Sequence, residues 1–123
     1  MKFSDIADSV HINPRKLTHY ALDTESPKGK HKAVLFEKLL GFTKRNYPCL
    51  INQIETKAVH AEWIFFNGDV FGKRYTVEIL AEGTRGRKAN IKTGWIIPHE
   101  TREAHLITLY VIKNRSQNNA GHR

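Results

Sequence analysis

Cysteine is nearly missing from this sequence: Cys49 is the only one in 123 residues. A lone thiol closes no internal disulfide and forms no CxxC pair, which excludes a disulfide-stapled scaffold and a CxxC zinc or redox centre. No apolar run reaches the roughly 18 residues of a membrane helix, so no transmembrane segment is expected. Asp5 and Asp8 interrupt the first ten residues, which therefore do not read as a signal peptide. The expectation is a cytoplasmic protein of a reducing compartment. Acid is also scarce, with 12 Asp+Glu against 20 Lys+Arg and a net charge of +8.

Several catalytic signatures are absent as well. There is no GxxxxGK[ST] for a P-loop and no GxSxG for a nucleophile elbow. GTRGRK is too short for a GxGxxG fingerprint, and it lies between two strand-like segments. The seven histidines (His11, His19, His31, His60, His99, His105, His122) show no HxxxH spacing. No metal site and no cofactor are expected.

What is present begins with clustered base. Lys28, Lys30 and Lys32 alternate through PKGKHK, and Arg85, Arg87, Lys88 and Lys92 fill GTRGRKANIK, neither stretch holding an acid. Such clusters suit a polyanion, most simply nucleic acid. The chain length supports one core, hence one domain over residues 1–112. Residues 113–123 (KNRSQNNAGHR) read as a disordered basic tail.

Periodicity divides that domain into helices followed by strands. Residues 3–10 suit a short helix capped by Ser4, and KLTHYAL one or two helical turns. HKAVLFEKLLGF is the clearest helix, with Ala33, Phe36, Leu39 and Leu40 on one face and Gly41 as a left-handed stop. A second helix starts near Pro48, with Leu50, Ile51, Ile54 and Val59 as its stripe and Cys49 as a small core residue. WIFF, KRYTVEIL, ANIKTGWII and AHLITLYVI then read as strands, with Asn67-Gly68 as a hairpin turn. The fold class is α+β: N-terminal helices packed on a roughly four-stranded antiparallel sheet.

Alternation also assigns faces. Ile107, Leu109 and Val111 form an apolar row for the helices, as do Tyr75, Val77 and Ile79. ANIKTGWII offers two rows. Placing Gly94 and Ile96 against the helices leaves Thr93 and Trp95 on an open face with Thr108, Tyr110, Arg74 and Glu78. A slip of one residue would reverse all of these.

That open face suits metal-independent phosphodiester chemistry on RNA. The 2′-OH is an internal nucleophile, so the protein needs only a base, an acid, cations and hydroxyl donors. Lysine, arginine, histidine, threonine and tyrosine are the right materials, and an imidazole exchanges protons near neutral pH.

Five segments, KLTHYAL, SPKGKHKAVLFEKLLGF, FGKRYTVEI, GTRGRKANIKTGWII and LITLYV, give the chain a family resemblance over residues 16–112. It resembles an uncharacterised bacterial domain family found free-standing and at the C-termini of contact-dependent and other polymorphic toxins. That family is similar to the barnase, EndoU, colicin and RelE group of toxin nucleases. The resemblance implies a barnase/RelE-like architecture, ribonuclease activity on tRNA or mRNA, and a small immunity or antitoxin partner. It marks Lys32, Thr93 and Thr108 as recurring polar positions. The family usually reads His-Pro where this chain has Ser26-Pro27, so a base would come from His31 or His19.

The combined expectation is a metal-independent endoribonuclease. Lys32 and Arg74 would stabilise phosphate charge, His31 or His19 would move protons, and Thr93 and Thr108 would orient the phosphate. Trp95 or Tyr110 would stack a base, with Lys28, Lys30, Arg85 and Arg87 holding the RNA backbone. Two alternatives use the same residues: a non-catalytic RNA-binding module, and an interaction domain for a small acidic protein.

Overall fold

A computed structural model describes residues 1–112; the basic tail at 113–123 lies outside the described residues. A 3-10 turn (Phe3–Asp5) leads to a short strand β1 (Ser9–His11) and one wide helical turn (Leu17–Ala21). Two helices follow, α1 (Lys30–Leu40) and α2 (Tyr47–Ala58). Then come β2 (Trp63–Gly68), β3 (Gly72–Glu82), β4 (Lys88–Pro98) and β5 (Glu103–Val111). The spatial order is β1-β5-β4-β3-β2. β2 to β5 form an antiparallel meander, and β1 joins β5 in parallel.

The fold is therefore α+β, with five strands in a mixed sheet rather than about four in an antiparallel one. The additional strand comes from a segment whose pattern suits a helix. Phe3 and Ser4 donate their N–H groups to Ala61 and Val59, and Asp8 donates to Arg102. Ala7 still donates to the Phe3 carbonyl at 3.0 Å, but the Asp8 N–H goes to Arg102 rather than back to Ser4, so the helical turn stops there and does not run on to 10. The cap of the first turn is made by Asp5, whose Oδ2 accepts the Lys2 N–H at 2.9 Å, and Ser4 takes no part in it.

Both helices cover one face of the sheet. α1 buries Ala33, Phe36 and Leu40, and α2 buries Leu50, Ile54 and Ala58. Gly41 ends α1 at φ 79°, the left-handed conformation that glycine adopts without Cβ strain. Cys49 is exposed on the first turn of α2 rather than in the core. The β2–β3 turn falls at residues 69–71, one step beyond Asn67-Gly68, because Asp69 Oδ1 accepts the Phe71 N–H at 2.9 Å. β2 is an edge strand, and Ile64, Phe65, Phe66, Val70 and Phe71 around its hairpin are exposed. Among the described residues no helix is long and apolar enough to cross a membrane.

The core fixes the phase of the central strand opposite to the one expected. Ile91, Thr93, Trp95 and Ile97 of β4 are buried beneath the helices, so Lys92, Gly94 and Ile96 turn to the open face. Trp95 Nε1–H donates to Thr93 Oγ1 at 2.7 Å, and that hydroxyl donates to the Val77 carbonyl at 2.6 Å. On β5 the expected apolar row holds for Leu109 and Val111 but not for Ile107, which is only half-buried. The ladder pairs Trp95 with Leu106 and Gly94 with Thr108, leaving Ile107 as the extra residue of a β-bulge.

This buried bond chain yields a stability prediction. Thr93→Val keeps the shape but leaves the Trp95 N–H without an acceptor. Urea denaturation should show a loss of about 1–3 kcal/mol, and Thr93→Ser, which restores the hydroxyl, should recover most of it.

Candidate active site

Lys32 is where sequence-distant segments meet. The turn before α1 is closed by Ser26, whose Oγ accepts the Gly29 N–H at 3.1 Å and whose carbonyl accepts the Lys30 N–H at 3.0 Å. Gly29 packs against the Leu17–Ala21 turn so closely that a Cβ would collide with the Tyr20 carbonyl oxygen. That wide turn is closed by a bond from Leu22 N–H to the Leu17 carbonyl at 2.8 Å, five residues back. Tyr20 thus stands beside the first turn of α1. The Lys32 ammonium donates to Tyr20 Oη at 2.6 Å and to Thr108 Oγ1 at 3.1 Å. It also lies 5.6 Å from the centroid of the Tyr110 ring, a cation–π distance. Its 4.6 Å to the Tyr20 centroid is already implied by the bond to that ring's hydroxyl.

Among the described residues no carboxylate lies within ion-pair distance of Lys32. Its charge is shared with hydroxyls and cancelled by none. The hydrogen bond from Lys32 lowers the Tyr20 pKa below its ordinary 10.0, burial opposes it, and the Lys32 charge, the Thr108 hydroxyl and the Lys28 charge add to the lowering.

Two hollows share Ile107 and Thr108 beside this cluster. One, of about 270 Å³ on the open sheet face, is lined by Phe66, Arg74, Lys92, Gly94 and Tyr110 among others. Gly94 leaves room at its floor, since a Cβ there would press on Thr108 Cγ2 at 3.0 Å. It does not receive a helix, as the opposite phase would have required. The other hollow, of about 500 Å³, is lined by Asn13, Arg15, Lys16, His19 and Tyr20. Neither lining contains a carboxylate. By contrast, the hollow beside the C-terminal end of α1 is lined by Asp23, Glu25 and Glu37 along with its lysine and arginine.

The structure brings together Lys32, Thr108, Tyr110, Arg74 and His19 of the expected residues. His19 Nδ1 is 2.8 Å from Thr18 Oγ1, and Arg74 is held by Asp69 Oδ2 at 2.7 Å. Thr93 and Trp95 must be corrected. Both side chains are 0% exposed and bonded to each other beneath the sheet, so neither orients a phosphate nor stacks a base. His31 and Lys30 are exposed on the first turn of α1 and line neither hollow. Lys28 is exposed, close enough for its charge to act on Tyr20.

Arg85 and Arg87 belong to the far end of α1. Arg87 Nη1 donates to the Glu37 and Lys38 carbonyls at 3.3 and 3.4 Å, capping the helix terminus. α1 has eleven residues, so its far end lies about 15 Å from Lys30 at 1.5 Å per residue. Sequence reading missed Tyr20, Phe66, Arg15 and Lys16. Only the helical phase of KLTHYAL relative to the following turn would have pointed to Tyr20.

The family can now be stated. A model described as a domain of unknown function, DUF6883, matches residues 2–113. The chain belongs to the DUF6883 family. Comparison with curated proteins and with solved structures gives no match. The family match spans β1 to β5 and so includes every residue of the Lys32 cluster.

The Lys32–Tyr20 bond has a titration consequence. Folding lowers the Tyr20 pKa, so the native state loses this proton more readily than the unfolded chain. The contribution is present in full above 10.0 and is lost as pH falls through the lowered native value. Tyrosinate absorbance should show one of the four tyrosines ionising below the ordinary value. Lys32→Met should move that step upward.

Proposed function

We propose that the chain is a metal-independent endoribonuclease with Lys32 at the centre of its site. The observation that carries this reading is the meeting of two base-lined hollows, neither lined by a carboxylate, at Thr108, whose hydroxyl accepts from the Lys32 ammonium. A polyanion strand laid across Thr108 would meet Arg15 and Lys16 on one side and Lys92 and Arg74 on the other. Tyr110 and Phe66 border the sheet-face hollow and offer ring faces for bases, a role Trp95 cannot take.

The chemistry follows from the groups at hand. His19 accepts the proton of the ribose 2′-OH as its oxygen bonds to phosphorus. The bond from phosphorus to the 5′ oxygen breaks, and Tyr20 donates the proton that this leaving oxygen takes up. Lys32 stabilises both the pentacovalent phosphate and the phenolate left on Tyr20, which is what lowering a general acid's pKa provides. Thr108 orients a non-bridging oxygen. The products are a 2′,3′-cyclic phosphate and a free 5′-OH. With a net charge of +8, the same face would accept a small acidic antitoxin or immunity protein in place of RNA.

The test is incubation of the protein with total bacterial RNA in EDTA, followed by end-group analysis. Discrete fragments ending in 2′,3′-cyclic phosphate are expected. Lys32→Ala and Tyr20→Phe should each slow cleavage by about 10²–10⁴-fold, with the circular dichroism unchanged. An unaltered rate in Lys32→Ala would sink the mechanism. Salt-sensitive binding of RNA that stays intact would replace it with the binding-module reading.

A further inference from the structure

The parallel pairing of β1 with β5 sets His11 directly opposite His105. Their imidazoles stack with centroids 4.7 Å apart and planes 18° from parallel. Glu103 precedes His105 by two residues and so projects to the same side of β5. Its Oε1 lies 3.6 Å from His105 Nε2. One donor atom from each of the three side chains lies within 4.8 Å of the other two. Ser9 Oγ sits 2.9 Å from His11 Nε2 and helps to hold that ring.

Two imidazole nitrogens and a carboxylate oxygen form a borderline donor set of the kind zinc prefers. Zinc takes such donors at about 2.0–2.2 Å, which places neighbouring ligand atoms about 3.3 Å apart in a tetrahedron. The lone pairs of stacked imidazoles lie in nearly parallel planes, so a shared ion requires a ring to turn out of the stack; His11 and Glu103 are exposed and His105 is half-exposed, which leaves room for that rotation. Access is open. A hollow of about 460 Å³ beside the pair is lined by His11, His105 and Glu55, leaving the fourth position to water or to a second carboxylate.

The position gives such an ion a purpose. β1 has only three residues and lies at the edge of the sheet. Parallel pairing is slightly less stable per residue than antiparallel. A metal bridging His11 to His105 would join the two ends of the described chain, and an ion bound by the native state alone adds to folding stability.

We propose that His11, Glu103 and His105 form a zinc site that clamps β1 to β5. The site ties β1 to β5, is separate from the Lys32 cluster, and does not rest on the ribonuclease reading.

The experiment uses the full chain, stripped with chelator, dialysed, and titrated with zinc chloride against a chromophoric competitor. One equivalent should bind with micromolar or tighter affinity, and the melting temperature should rise on loading and fall again with EDTA. Cobalt(II) should give the visible absorption of a tetrahedral nitrogen and oxygen site. His11→Ala with His105→Ala should abolish the stoichiometric binding, the cobalt band and the thermal shift. Glu103→Gln should weaken binding at least tenfold, and His60→Ala should change nothing. His11, Glu103 and His60 are exposed and the His105 side chain is 43% exposed, so circular dichroism should report an intact fold in the zinc-free variants. A double variant that binds zinc as tightly as the parent would overturn the proposal, as would a parent whose melting temperature does not respond to saturating zinc.

Discussion

Trp95 Nε1–H donates to Thr93 Oγ1, which donates in turn to the Val77 carbonyl, at 2.7 and 2.6 Å in a wholly buried setting. β4 is the middle strand, so this chain decides which of its residues turn to the helices and which to solvent. Rotating the strand by one residue would expose Trp95 and drive the Lys92 ammonium into the core. A tryptophan buries roughly 200 Å², about 5 kcal/mol at 25 cal/mol per Å² and an upper estimate for a partly compact unfolded chain. An unpaired ammonium in the core would add a penalty of several kcal/mol. Both effects act in the same direction, and no surface interaction of β4 is large enough to oppose them.

The open face inherits its character from that choice. Lys92 and Gly94 appear there because Thr93 and Trp95 do not, and the floor over Gly94 stays low enough for a hollow. Lys32 then completes the face from the helix side. A cation in the first turn of a helix loses about 0.3–1 kcal/mol against the macrodipole. Each charge-assisted bond to a neutral hydroxyl contributes about 1.5–3 kcal/mol, so the bonds to Tyr20 and Thr108 outweigh that loss even after discounting for partial exposure. Hydroxyl partners differ from carboxylates in one respect that matters for function. They hold the ammonium in place without neutralising it, so the phosphate of the proposed substrate would meet a positioned charge and displace no ion pair.

How much of this was legible in the residues depends on the range of the interaction. Ala33, Phe36 and Leu40 mark α1 at helical spacing, and Val77 and Ile79 mark the inner row of β3, because a local period reports a local surface. Gly41 is readable for the same reason. ANIKTGWII is not, since Ile91, Ile97 and Ile96 place apolar residues in both rows and the pattern leaves the phase open. That ambiguity allows Thr93 and Trp95 on the open face, and only packing against the helices resolves it. β1 is invisible for a different reason. Its three residues pair with Glu103, Ala104 and His105 near the other end of the domain, and nothing in FSDIADSV signals so distant a partner. The closeness of His11 to His105 was hidden with it.

The bulge at Ile107 links the two regions. β5 places Ala104 and Leu106 in the core, and strict alternation from Leu106 would send Thr108 and Tyr110 inward as well. The extra residue reverses the phase, so that Leu109 and Val111 continue the core while Thr108 and Tyr110 turn outward. Without it, Thr108 would not reach Lys32 and Tyr110 would not face its ammonium. The half of β5 before the bulge pairs with β1 and carries Glu103 and His105. The half after it supplies the hydroxyl and the ring of the Lys32 cluster. One strand therefore serves two separate sites because a single residue is left out of its ladder with β4, and on its other edge β1 pairs only Glu103 to His105, so the bulge disturbs no second ladder.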